Sequence, residues 1–203
     1  GRVVGGQGIY VQTRLLAQDG SGGIADLTLG GSTDVTSTNG NVDLEIRVQA
    51  PTWAAFDTIE IYANAATTPV DPLNPYLFVP AAGSAQVLAE GDCNPVTTGD
   101  GDFDLSVVNV HPVSGADRLD TTVVVPFVGL TQDTWFVVLV KGSDGSCSPM
   151  FPVFPSDLAA GSNTTLANLL DGNVGESGTM PLGVTNALYA DVDGTPGFQP
   201  PNP

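Results

Sequence analysis

Residues 42–49 read Val-Asp-Leu-Glu-Ile-Arg-Val-Gln, a strict alternation of apolar and polar side chains, and no other stretch limits the fold so tightly. At a period of two, Val42, Leu44, Ile46 and Val48 share one face of a strand, while Asp43, Glu45, Arg47 and Gln49 share the other. One face must be buried and the other wet, which is the condition of a strand in an antiparallel sheet. A helix would scatter the same residues around its circumference.

The pattern recurs along the chain. "FDTIEIYANA" repeats it with Phe56, Ile59 and Ile61, and "GIYVQTRLLAQ", "GIADLTLGG", "DFDLSVVNV" and "TTVVVPFV" add further strands. "TWFVVLVK" is apolar on both faces and is expected to be central. Pro126 lacks the N–H that a ladder needs, so it predicts an edge position or a bulge. Trp53 is expected to plug the core between sheets. Turn-rich loops such as "QDGSGG", "STNGN" and "TTGDGD" separate about seven or eight short strands between residues 7 and 155. The expected fold class is all-β, an antiparallel β-sandwich of immunoglobulin-like or jelly-roll-like topology over residues 1–155. Residues 156–203 read as an extension with a short helix at 164–171, one strand in "GVTNALYADVDG" and a proline-rich tail.

Charge narrows the partners. The chain carries 22 acidic and 5 basic residues, a formal net charge of −17. Nucleic acid and anionic membrane surfaces are bound through Lys and Arg, so neither is an expected partner. No apolar run approaches the ~18 residues of a membrane-spanning helix. A soluble chain is expected, starting as a processed or excised piece would.

Cys93 and Cys147 both lie in Gly/Asp/Ser/Pro loops. Two ligands without a His or Cys neighbour do not close a zinc site. The alternatives are two free thiols or a Cys93–Cys147 disulfide. The disulfide is the expectation carried forward, and with it an extracellular or cell-surface location. The start "GRVVGG" looks like an activated serine protease, but the only histidine, His111, stands at the end of a strand with no partner set. "DGSGG" comes too early to supply the nucleophile. No catalytic constellation is expected. The glycines of the start are read as a flexible lead-in to a first strand at Ile9 and Val11.

The acidic excess is mostly Asp, which suits loops and oxygen-rich cation sites; a solvated acidic surface of a secreted or salt-adapted protein is the alternative reading of the same excess. "DGDFD" sets Asp100, Asp102 and Asp104 at alternating positions in a Gly-containing loop, and "DVDG" supplies Asp191 and Asp193. Each stretch can either converge on calcium or serve as ordinary Asp-Gly turn chemistry, and neither matches an EF-hand loop. Calcium is the cofactor expected if one is present. Asn163 in "NTT" is a formal glycosylation acceptor.

"GRVVGGQGIYVQ", "VDLEIRVQAPTWAAFDTIEIYANA", "DTWFVVLVKGSDG", "SPMFPVFP" and "GVTNALYADVDG" together resemble the C-terminal β-domain appended to bacterial secreted metallohydrolases of the polymerase-and-histidinol-phosphatase-like superfamily. The resemblance covers most of residues 1–194 and implies an accessory sandwich module. The catalytic domain of that family binds metals through several His and acidic residues in a barrel. This chain has one His and no barrel, so no ligand is carried over.

Three functions follow as expectations. The first is a non-catalytic extracellular module with a structural or interaction role, a surface or fibre subunit assembling with copies of itself by strand exchange and stabilised by calcium. The second is the accessory domain of a secreted hydrolase, with a catalytic domain as partner. The third is carbohydrate binding, which requires Trp53, Trp135 and Tyr62 to be exposed.

Overall fold

The computed structural model describes residues 3–20, 22–26, 32–64, 67–71, 74–80, 85–91, 93, 95, 99–111, 116–142 and 182–199. Its strands are β1 (Val3–Gln7), β2 (Tyr10–Ala17), β3 (Ile24–Asp26), β4 (Asp34–Thr36), β5 (Val42–Pro51), β6 (Thr58–Ala63) and β7 (Thr67–Asp71). There follow β8 (Asn74–Pro80), β9 (Ala85–Ala89), β10 (Ser106–His111), β11 (Ala116–Phe127), β12 (Thr134–Lys141), β13 (Leu182–Thr185) and β14 (Leu188–Asp191). No helix occurs among the described residues. The helix expected at 164–171 lies outside them.

Two sheets pack face to face as a β-sandwich. A five-stranded sheet runs β10-β11-β5-β2-β3. A seven-stranded sheet is built on β12, which pairs β6 on one side and both β13 and β14 on the other; β9 flanks β6, β1 flanks β13 and β4 runs parallel to β14. The apolar β12 is therefore central, as its sequence predicts. The alternation at 42–49 works in the same way: Val42, Leu44, Ile46 and Val48 are wholly buried between the sheets, with Ile59, Ile61, Phe136, Val138 and Val140 in the same core.

On the wet face of the five-stranded sheet the polar half of the pattern pairs with itself. Arg47 and Arg118 reach the Asp120 carboxylate at 3.2 and 3.0 Å, Gln49 donates to it at 2.7 Å, and Arg14 bridges Asp26 and Glu45. Pro126 sits opposite Asp43 in β5, beyond the stretch of β11 that β10 covers, so the edge reading holds locally.

Several expectations are corrected. Trp53 does not plug the core but is 59% exposed. The turn after β5, closed by Ala54 N–H donating to the Pro51 carbonyl at 2.9 Å, turns Ala54 inward, and Phe56 fills the core and stacks on Phe103 at 6.2 Å. Residues 3–7 are not a bare lead-in but an edge strand against β13, a role that needs only main-chain groups. β7 and β8 pair with each other as a separate two-stranded antiparallel sheet, a hairpin in which Pro69 and Pro75 interrupt the alternation that marks the other strands. "GVTNALYADVDG" supplies two strands, β13 and β14, and both belong to the sandwich's own seven-stranded sheet.

Candidate metal centre

The antiparallel register of β12 and β14 sets Thr134 opposite Ala190 and Trp135 opposite Tyr189. One step further along that ladder, Asp133 at the mouth of β12 meets Asp191 at the end of β14. Asp193 follows two residues later. One carboxylate oxygen from each of Asp133, Asp191 and Asp193 lies within 4.8 Å of the other two.

The three carboxylates are held mainly by main-chain donors. Asp133 is 2% exposed; its Oδ1 accepts from Val192 N at 2.8 Å and Asp193 N at 3.2 Å, and its Oδ2 from Gln199 N at 2.6 Å. Asp191 is 6% exposed; its Oδ2 accepts from Gly197 N at 3.2 Å, while its Oδ1 is buried without a hydrogen-bond partner. Asp193 is exposed and accepts from the main-chain N of Thr195 at 2.8 Å and from the Thr195 hydroxyl. Gly194 and Gly197 bend the segment with φ of +80° and +85°. Nothing lies within 4 Å of a Cβ built at either position, so conformation and not space calls for glycine there.

No cationic side chain among the described residues answers this charge. The four described basic residues are committed elsewhere: Arg14 to Asp26 and Glu45, Arg47 and Arg118 to Asp120, and Lys141 to Glu60 at 2.6 Å. Two buried carboxylates near this separation, Asp133 and Asp191, repel by about 3 kcal/mol at an effective dielectric constant of ~20. Burial pushes the Asp191 carboxyl above its ordinary value, and the charges of Asp133, Asp193 and Asp34 push the same way against the Gly197 hydrogen bond. The hydrogen bonds from Thr195 hold the exposed Asp193 carboxyl below its ordinary value.

Such a cluster is resolved by a proton or by a cation. Its donors are all carboxylate oxygens, with no thiolate or imidazole, which selects a hard divalent ion over zinc or copper. Calcium takes 6–8 oxygens and tolerates irregular geometry, so three carboxylates with water completing the shell fit it. The hydrogen bonds behind the carboxylates fix their orientation as outer-shell partners do around a metal.

Of the residues singled out from sequence, Asp191 and Asp193 meet here, and Asp133 joins them unforeseen. Nothing local in "LTQDTW" marks Asp133 as a ligand; the strand register alone brings it in. Asp100, Asp102 and Asp104 are not gathered with one another into such a group. Asp102 Oδ2 accepts from Ala89 N at 3.0 Å and Asp104 Oδ1 from Gly99 N at 2.8 Å, which is turn chemistry pinning that loop to the end of β9. Cys93 is half-buried in its loop, whereas Cys147 and Asn163 lie outside the described residues, as does the side chain of His111. Tyr62 and Trp135 are half-buried on the seven-stranded sheet, and Trp53 stands apart in its turn.

No family model, curated protein or solved structure matches the chain.

Proposed function

We propose that the chain is a non-catalytic structural or interaction module of the cell exterior, a β-sandwich stabilised by a calcium-class cation at Asp133, Asp191 and Asp193. The observation that carries the reading is the buried Asp191 Oδ1, a carboxylate oxygen without a hydrogen-bond partner that shares its site with two other carboxylates. A cation there joins the entrance of the central strand β12 to the end of β14, and so ties the C-terminal end of the sandwich to its middle. Self-assembly by strand exchange fits the edge strand β1, which among the described residues pairs through main-chain groups on one side only. The same reading takes Cys93 and Cys147 as a disulfide, which peptide mapping with and without reduction tests.

Calorimetric titration of chelator-stripped protein with calcium chloride tests the centre. Binding in the range of extracellular calcium modules, about 10⁻⁴–10⁻³ M or tighter, supports it. Saturation at a hundredfold excess over the dissociation constant then adds about 2.7 kcal/mol of stability. No heat and no shift in melting temperature would remove the cation from the proposal. Sedimentation velocity with calcium present tests assembly, and a single monomeric boundary at high concentration would remove strand exchange.

A further inference from the structure

We propose that the cation at Asp133, Asp191 and Asp193 acts as a latch for residues 194–199, seating this segment against β14 when bound and loosening it when withdrawn. The inference rests on the cation reading above and adds its regulation.

The segment reaches the sandwich through the same three carboxylates. Thr195 N donates to Asp193, Gly197 N to Asp191 and Gln199 N to Asp133. Residues 193–197 and 199 are exposed, and the ring contact that holds the segment is Phe198 tilted against Tyr189 at 4.6 Å. The bends at Gly194 and Gly197 have open space around them, so neighbouring side chains do not hold their shape. Docking thus depends on amide bonds to three acceptors of like charge that converge on one point.

Without a counter-charge, repulsion drives the carboxylates apart, and any separation lengthens the amide bonds that depend on them. A divalent ion reverses the sign. It draws the inner oxygens together while their outer lone pairs stay turned toward Thr195, Gly197 and Gln199. Docking and binding are then coupled, so an intact segment must also tighten the ion. Release uncovers Tyr189, which pairs across the ladder with Trp135, so withdrawal of the ion bares an aromatic pair beside the site.

The test follows amide exchange of Thr195, Gly197 and Gln199 by NMR on the full chain, in calcium and in chelator, alongside calorimetry. Calcium is expected to slow exchange at these amides within the ordinary range of coupling, about 5- to 150-fold. Phe198→Ala, which removes no oxygen ligand, is expected to weaken calcium binding several-fold, whereas Asp191→Asn abolishes it. Calcium binding with unchanged exchange at the three amides overturns the latch and leaves the cation centre standing. A Phe198→Ala affinity equal to that of the parent chain overturns the coupling in the same way. Absence of calcium binding overturns both.

Discussion

The main-chain N–H of Gln199 donates to Asp133 Oδ2 at 2.6 Å, joining the last described residue to the mouth of the central strand. Asp133 also accepts from Val192 and Asp193, so one buried side chain organises the whole C-terminal turn. Replacing it with alanine strips three donors of their acceptor. A buried donor left unsatisfied costs about 1–3 kcal/mol, and the exposure of Asp193 and Gln199 lets water answer part of that. With calcium bound, where the ion already answers the repulsion from Asp191, Asp133→Ala is expected to lose about 2–4 kcal/mol, seen as a fall of roughly 5–15 °C in melting temperature. Asp133→Asn, which keeps one oxygen acceptor, should lose clearly less; equal losses would mean that the turn does not depend on these bonds.

Asp191 is expected to behave in the opposite sense. In the absence of a cation its charge is buried beside Asp133 with one oxygen unanswered. Asp191→Asn removes the charge, keeps an oxygen for Gly197 N and offers a donor to the neighbouring carboxylates. In chelator the variant is expected to be more stable than the parent chain by about 1 kcal/mol, roughly 2–4 °C in melting temperature. In calcium the order should invert, because the parent gains the binding energy and the variant does not. Paired melts in the two buffers check this, and a variant less stable in both would contradict it.

What was legible in sequence was whatever a local period encodes. The alternation of Val42 to Val48 specifies a buried face whatever surrounds it, and the doubly apolar run at Phe136–Val140 specifies a central strand. Elements with a weak side-chain period were not legible, since the edge strand β1 and the separate β7–β8 hairpin are held by main-chain pairing. Two of the three carboxylates of the candidate metal centre, Asp191 and Asp193, were readable as "DVDG". Its third member, Asp133, was not, because it is brought in by the β12–β14 register across 58 residues of sequence and not by any spacing.

The misplacement of Trp53 gives a direct contrast with Phe56. Both stand in the connection between β5 and β6, yet Trp53 is 59% exposed while Phe56 is wholly buried against Phe103. Phe56→Ala leaves a cavity that the rigid sheets cannot close, at about 3–5 kcal/mol. Trp53→Ala removes a larger ring and is expected to change stability by less than about 0.5 kcal/mol, as exposed positions do. Urea midpoints of the two variants measure this, and a Trp53 loss comparable to that of Phe56 would show that the ring is covered in solution.

The two sheet surfaces predict how stability varies with pH. Burial raises the Asp120 carboxyl, but hydrogen bonds from Arg47 and Gln49 and the charges of Arg47 and Arg118 outweigh it and hold it below its ordinary value. On the other sheet burial likewise raises Glu60, and Lys141 and Tyr62 more than reverse this. For a carboxyl lowered on folding, the stability it gives is present above its unfolded pKa of about 4 and is lost as pH falls through the folded value. Tyr62 runs the other way. Burial, then the hydrogen bond to Glu60 and its charge, pushes the phenol up to about 12, so its contribution is complete below the ordinary tyrosine value and is lost as pH rises toward about 12. Urea midpoints measured from neutral pH into acid should therefore fall more shallowly for Asp120→Asn than for the parent chain. Tyr62→Phe should flatten the alkaline limb and, because the phenol also helps to hold the Glu60 carboxyl down, take a smaller share from the acid limb; a Tyr62→Phe chain that still loses stability as steeply above pH ~10 would show that another group carries the alkaline limb.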